Sequence, residues 1–594
     1  MSSTIARWQQ RLLAPQIKAW SLLGPPVAWA RDRERGVLIA NPSGRFEVYA
    51  FDASSRPAQL RQVTDRPQGT VGCAISPDGS DVFWFDDKDG DELGRWQRQP
   101  FGGGEESLLL ADLGPAYAKG IVTRRGGGAV VGRDVDDGFE LAVASASGAS
   151  EVVYRSLEHA RLLDADDHVA AISHPPDGDL FHPIVRVVDL SDGRIVAELD
   201  DQGLGVTPIA FSPARDGRLL ATHSRHDRKG LLIWSPDTGA VHEVVVNLDG
   251  DVSGQWLPDA SGLLLVSSFD GRDVLYKLDL ASGSLDRLDA PCGVVDEYSP
   301  RNDGTVQALV ESSFEPPRIV EIGREPIVVF DGEPPAPSVR AEDVYADGPA
   351  GRVHAFLHRP DVGSAPFRTV FVVHGGPTAQ DLDEFLPLTA ALVDAGYAVV
   401  RVNYRGSTGY GRAWRDALVA RLGAIEMEDI GAVRTSLEAD GIIDPANVAV
   451  VGASWGGYLT LFALGVEPDR WSAGIALVPV ADFAMSQEDQ PAWMTAYDHV
   501  LFGGTLDEMP DEYRTASPLT YVDAVRSPVL ITAGANDPRC PPRATDAYVD
   551  QLREREHDVV YLRKDTGHAS YDNERRVEEI GLALEFLESR MPAR

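Results

Sequence analysis

The segment Gly452-Ala453-Ser454-Trp455-Gly456 sets a serine among small residues in the pattern G-x-S-x-G. An apolar run at 448–451 precedes it and a helical run at 458–464 follows. A serine at such a strand–turn–helix junction stands at the tip of a sharp turn with its hydroxyl exposed, and small neighbours let strand and helix close around it. That hydroxyl is a poor nucleophile until a base takes its proton and a carboxylate holds the base. Two later strand-loop units supply both. The strand at 529–532 leads into the loop 533–537, which ends in Asp537, and the strand at 559–562 leads to Gly567-His568. Asp546 and Asp550 fall inside a helical stretch, Asp565 is too near His568 in sequence, and His557 comes before its strand. Ser454 is therefore read as nucleophile, Asp537 as acid and His568 as base. The oxyanion of a tetrahedral intermediate needs fixed N–H donors. His374-Gly375-Gly376-Pro377 follows the strand at 370–373, so the N–H of Gly376 and that of Trp455, next to the nucleophile, are the expected pair.

These residues need a parallel sheet to carry them. From about residue 341 a hairpin (344–357) is followed by apolar strands alternating with helices, at 386–395, from 456, at 543–555 and at 575–587. That alternation predicts a parallel sheet covered on both faces. Upstream, from about 29 to 329, the texture is all-β, with short apolar runs between Gly, Pro, Asp and Ser clusters. Ser76-Pro77-Asp78-Gly79 recurs loosely around Pro213, Pro258 and Pro300, the last three spaced by 45 and 42 residues. Turn elements recur as well, among them Asp189-Leu190-Ser191-Asp192-Gly193, Ser235-Pro236-Asp237-Thr238-Gly239 and Asp279-Leu280-Ala281-Ser282-Gly283. An all-β repeat of this length is the pattern of a β-propeller, and about 300 residues at about 43 per blade make seven blades. A separate helix is predicted over 4–23 from the spacing of Ile5, Trp8, Leu12, Leu13, Ile17 and Trp20. Gly24-Pro25-Pro26 ends it.

Bulk properties narrow the partners. The 594 residues exceed one core, and a net charge of −36 argues against nucleic acid or an anionic membrane surface. Three scattered cysteines, Cys73, Cys292 and Cys540, offer neither a disulfide framework nor zinc spacing. No leader pattern and no apolar run long enough to span a bilayer are present, so the expectation is cytoplasmic.

The motifs together resemble the prolyl oligopeptidase family of serine peptidases, in particular its acylaminoacyl-peptidase and dipeptidyl-peptidase-like branch. The residues that carry this are His374-Gly375-Gly376-Pro377, Asn403-Tyr404-Arg405-Gly406-Ser407-Thr408-Gly409-Tyr410-Gly411, Gly452 to Tyr458, Asp537-Pro538-Arg539 and Gly567-His568. The resemblance implies an α/β-hydrolase catalytic domain (336–594) capped by an all-β seven-bladed propeller domain (29–335). The N-terminal segment (1–28) would pack on the hydrolase domain. It further implies short peptides as substrates, no metal and no organic cofactor, while a homo-oligomer stays open. Carried over position by position, Tyr410 borders the oxyanion site, Arg539 lines the substrate groove and Glu92 anchors a substrate amino terminus. No double-glutamate anchor of the true dipeptidyl peptidases is found. A specificity pocket is expected around 478–502, with Phe483, Trp493, Tyr497 and Phe502 as candidates. An esterase or amidase acting on a small aminoacyl metabolite or antibiotic is the alternative, since its triad chemistry is identical. An inactive propeller scaffold is disfavoured because every catalytic element is present.

Overall fold

The computed structural model describes residues 6–18, 25–324, 326–330 and 335–591. Among the described residues the strands of the N-terminal half form seven small antiparallel blades, the first beginning at Val27–Trp29 and the seventh ending at Arg318–Glu321. Each blade runs in chain order from its inner to its outer strand, and burial follows that order. The second strand of blade 1, Arg35–Ala40, is almost wholly buried because neighbouring blades cover both of its faces. The fourth strand of blade 4, Ile195–Leu199, is largely exposed at the rim. The recurring turns are tight hairpins. Gly193, Gly239 and Gly283 donate their N–H to Asp189, Ser235 and Asp279 carbonyls at 2.8–2.9 Å, with φ of 72–73° that glycine adopts freely.

Two features depart from a ring of independent blades. Blades 2 and 3 are joined by pairing of Leu93 with Tyr117 and Gly94 with Ala116, which merges them into one sheet. Blade 7 has three strands among the described residues, and no strand is exchanged between blades 1 and 7 there. Instead Leu309 and Ile319 pack against Leu38, Tyr49 and Phe51. Arg301 adds donors to the carbonyls of Ala30 and Arg33, each at 2.7 Å.

The C-terminal half is an eight-stranded sheet. Its spatial order is Glu342–Gly348, Gly351–His358, Ala398–Asn403, Phe367–Val373, Ile443–Ala453, Ala473–Leu477, Val529–Gly534 and Val559–Lys564. The opening hairpin is antiparallel and the other six strands run parallel. Central strands such as Ala398–Asn403 are buried throughout, as expected where helices cover both faces.

The first helix is shorter than its spacing predicts. It spans Arg7–Leu13, and Ala14 is already extended at ψ 149°. Pro15 explains the stop, since a residue before proline is pushed out of the helical region. Residues 4–5 and 19–23 of the predicted helix lie outside the described residues. The helix docks through Arg11, whose guanidinium bonds Asp394 at 2.6 Å and the carbonyls of Ala336 and Pro337 at 2.7 and 2.6 Å. The two halves are also stitched together by Asp383, which accepts from Ser313 N at 3.0 Å and from Arg272 Nε at 2.9 Å.

Candidate active site

Ser454 sits where strand Ile443–Ala453 turns into helix Trp455–Val466, at φ 57° and ψ −119°. This is a strained backbone for a residue with a side chain. The turn is so tight that a Cβ on Gly452 would lie 2.3 Å from the Gly456 carbonyl, and one on Gly456 would lie 2.1 Å from the Val373 carbonyl. Trp455 is the first residue of the helix, so its N–H has no intrahelical acceptor and stays available. Gly375 lies beside it: a Cβ there would be 3.1 Å from the Ala453 carbonyl and 4.0 Å from Trp455 N. The Gly375-Gly376 backbone thus runs along the nucleophile. Its start is braced by Tyr404, which stacks on His374 at 4.2 Å and donates to the His374 carbonyl at 2.9 Å.

Asp537 and His568 follow the ends of the last two strands. Asp537 Oδ1 accepts from the N–H groups of Arg539 and Cys540 at 2.9 Å each. Its Oδ2 lies 2.8 Å from His568 Nδ1. That bond holds the imidazole with Nε2 free. Ser454 Oγ makes no hydrogen bond to His568 here; its side-chain neighbour is Cys540 Sγ at 4.0 Å. In a free enzyme such catalytic bonds are commonly long and tighten only with substrate. Burial, and then the Asp537 charge, pushes the Cys540 thiol well up, so it stays protonated and neutral. Ligand atoms of Asp537, Cys540 and His568 all fall within 4.8 Å of one another. Both Asp537 oxygens are already taken by the two N–H groups and the imidazole.

The propeller reaches into this site. Its loop 87–92 lies against the catalytic loops: Asn536 Nδ2 bonds the Asp89 carbonyl at 3.0 Å, and Gly90 abuts Gly567. Asp87 shapes the loop by accepting from Gly90 N at 2.8 Å and Glu92 N at 2.9 Å. Glu92, at φ 64°, pairs with Arg539 through two contacts of 2.7 and 3.0 Å. The Arg539 guanidinium also lies 5.7 Å from the Trp493 ring centre. Trp493 meets Tyr117 edge-on at 6.2 Å and carries the Lys119 ammonium at 4.3 Å. Lys119 in turn pairs with Asp134 at 3.1 Å. Tyr497 bridges the domains too, bonding Thr378 Oγ1 at 3.0 Å with its ring beside Phe181 at 6.4 Å.

Three expected site residues sit elsewhere. The Tyr410 hydroxyl is engaged by His354 Nδ1 and by Asn403 Nδ2 at 2.8 Å, so it is already committed to a hydrogen-bonded knot with these two side chains. Phe483 is 2% exposed between Trp455, Tyr458 and Phe502, and it supports the elbow from below rather than facing a substrate. Phe502 is 1% exposed and stacks on Tyr513 at 3.6 Å. Aromatic side chains after the nucleophile helix serve a core and a pocket alike, so residue type alone did not separate them. Lys119, Tyr117 and Cys540 carried no role in the sequence reading. Only Cys540, three residues past Asp537, had a local signal.

Fold and site together define an α/β-hydrolase domain, with Ser454 at a strand–helix elbow and an Asp537–His568 pair on the loops after the last two strands, capped by a seven-bladed propeller. Residues 385–593 match the model of the prolyl oligopeptidase family. The chain is 28% identical to dipeptidyl aminopeptidase BIII of Pseudoxanthomonas mexicana, over 64% of this chain and 52% of that one. It is 26% identical to acylamino-acid-releasing enzyme 2 of Oryza sativa subsp. japonica, over 51% of this chain and 44% of that one. The chain thus spans about half the length of these relatives. Among solved structures, a puromycin-hydrolyzing peptidase of Mycobacterium tuberculosis superposes with a TM-score of 0.82 at 20% identity, covering 100% of this chain and 97% of that one. At that identity the likeness establishes the fold.

Proposed function

We propose that the protein is a serine peptidase that cleaves short peptides, of acylaminoacyl-peptidase or aminopeptidase type, through an acyl-enzyme on Ser454. The observation that carries this reading is the joint construction of the site. The Asp537–His568 pair stands at the elbow, while Glu92 of the propeller grips Arg539 two residues from the acid. In the proposed reaction His568 Nε2 takes the Ser454 proton as Oγ bonds to the scissile carbonyl carbon. The resulting oxyanion accepts N–H bonds from Trp455 and Gly376. On collapse the C–N bond breaks, His568 returns the proton to the leaving amine, and water repeats the sequence on the acyl-enzyme. Asp537 stays ionised and holds the imidazole tautomer. Loop 87–92 lies over the catalytic loops, which supports admission of extended peptides and exclusion of folded proteins.

A second reading, hydrolysis of a small aminoacyl amide or ester, is favoured by the full-length match to the puromycin-hydrolyzing peptidase. One panel separates the two: peptide nitroanilides with free amino ends, N-acetyl peptides, puromycin, short acyl esters and a tightly folded domain. Turnover of the first two classes with the folded domain left intact is expected. Exclusive turnover of puromycin or simple esters would replace the peptidase reading, and rapid digestion of the folded domain would remove the capping role.

A further inference from the structure

Three cations line up where the propeller meets the hydrolase domain, one from the hydrolase domain and two from the propeller. Arg539 stands nearest the triad, its own N–H on Asp537. Lys119 comes next, against the same Trp493 ring as Arg539. Arg161 heads the first, inner strand of blade 4, Arg161–Ala165, alongside the inner strand of blade 3, Ala116–Thr123, that carries Lys119. The two strands touch: a Cβ on Gly120 would lie 2.2 Å from the Leu162 carbonyl. Leu162 packs into the apolar layer with Val130 and Leu141 of blade 3. Alternation along a strand therefore turns Arg161 to the opposite side, where it is exposed.

The three cations differ in one respect. Arg539 is neutralised by Glu92 and Lys119 by Asp134. The Arg161 guanidinium has no hydrogen-bond or ion-pair partner among the described residues. It is solvent-accessible yet closely surrounded by protein, and that enclosure depresses its pKa with no acid to offset it. Burial lowers the Lys119 pKa despite the opposing pull of Asp134, and the charges of Arg539 and Arg161 add to the lowering; the contact of Gly120 with Leu162 sets Lys119 and Arg161 on neighbouring strands. In a chain of net charge −36, an enclosed arginine without a counter-charge is an unusual choice. Its planar fork suits a carboxylate held by two parallel bonds.

We propose that Arg161 is a binding residue for a substrate carboxylate, forming with Lys119 a cationic subsite on the propeller wall that selects peptides bearing an acidic group. This deepens the peptidase reading and rests on it. The carboxylate could belong to the acyl side of the scissile bond or to the free carboxyl end of the peptide, and the experiment resolves the two sources. Wild-type and Arg161→Gln proteins are compared on nitroanilides carrying an N-succinyl or an N-acetyl group, and on short peptides ending in a free carboxyl or an amide. Wild type should favour one acid-bearing series about tenfold in kcat/KM, mainly through KM. Arg161→Gln should abolish that preference and leave the neutral series within about twofold, and Arg161→Lys should restore part of it. An acyl-side effect places the subsite before the scissile bond, and a carboxyl-end effect places it after. Equal loss on charged and neutral substrates, or no wild-type preference in either series, overturns the proposal. If none of these amides is cleaved, the peptidase reading fails. The same two acyl groups as nitrophenyl esters then decide the subsite by the same criterion.

Discussion

Glu92 and Arg539, 447 positions apart in the chain, form a two-pronged ion pair across the domain boundary, at 2.7 Å from Nε to Oε1 and 3.0 Å from Nη2 to Oε2. A fork-to-carboxylate pair of this kind is sensitive to loss of one partner, because the remaining charge is left enclosed. Glu92→Gln should therefore raise KM for short peptides by about tenfold while kcat stays within about threefold. Steady-state kinetics on one chromogenic peptide checks this. A fall in kcat at constant KM would instead assign the pair to transition-state stabilisation.

Ser454→Ala should lower kcat by about 10⁶ and Asp537→Asn by about 10⁴. The alanine variant keeps the helix start and the Ser454 N–H bond to the Leu477 carbonyl at 2.9 Å, so its melting temperature should match that of wild type. Retention of more than about 1% activity in Ser454→Ala would remove the serine from the mechanism.

Contact between the propeller loop and the histidine loop is testable at Gly567. A Cβ there would fall 1.6 Å from the Gly90 carbonyl oxygen, so one of the two loops must move. Gly567→Ala should cost about tenfold or more in kcat/KM, since misplacing a catalytic group by about 1 Å has effects of that size. Gly102→Ala, which meets nothing within 4 Å, is the control and should behave as wild type. Similar activity of the two variants would refute the contact.

Stability should fall as pH rises toward 9. Burial, with neighbouring acids second, pushes Asp296 and Glu297 of blade 7 up to about 8 each. Burial likewise raises Glu426, which accepts from the Trp455 indole at 3.3 Å, to about 8. Between the usual carboxylate range and pH 8 the folded state then holds more protons than the unfolded chain. The slope of unfolding free energy with pH is negative in that window. The melting temperature should be higher at pH 6 than at pH 9, and Glu297→Gln should flatten the difference. A melting temperature that rises from pH 6 to pH 9 would contradict these shifts.

Local chemistry was legible without coordinates. The elbow around Ser454, the loops after the last two strands that hold Asp537 and His568, and the turn repeats around Gly193, Gly239 and Gly283 each depend on a few adjacent residues, because a tight turn limits which side chains fit. The parallel sheet and the blade count follow from periodicity for the same reason. Contacts between distant segments were not legible. Nothing near residue 92 indicates that its carboxylate meets residue 539, and nothing in the strand Ala116–Thr123 marks Lys119 as a neighbour of Trp493. The sequence could not separate Trp493 at the domain boundary from Phe483 in the core, since both are aromatic residues following the nucleophile helix. Tyr410 matched a motif, yet its hydroxyl is claimed by Asn403 and His354, two residues that only the folded sheet brings beside it. Short-range sterics write themselves into neighbouring residue types, whereas pairing across domains depends on how two separately folded cores dock.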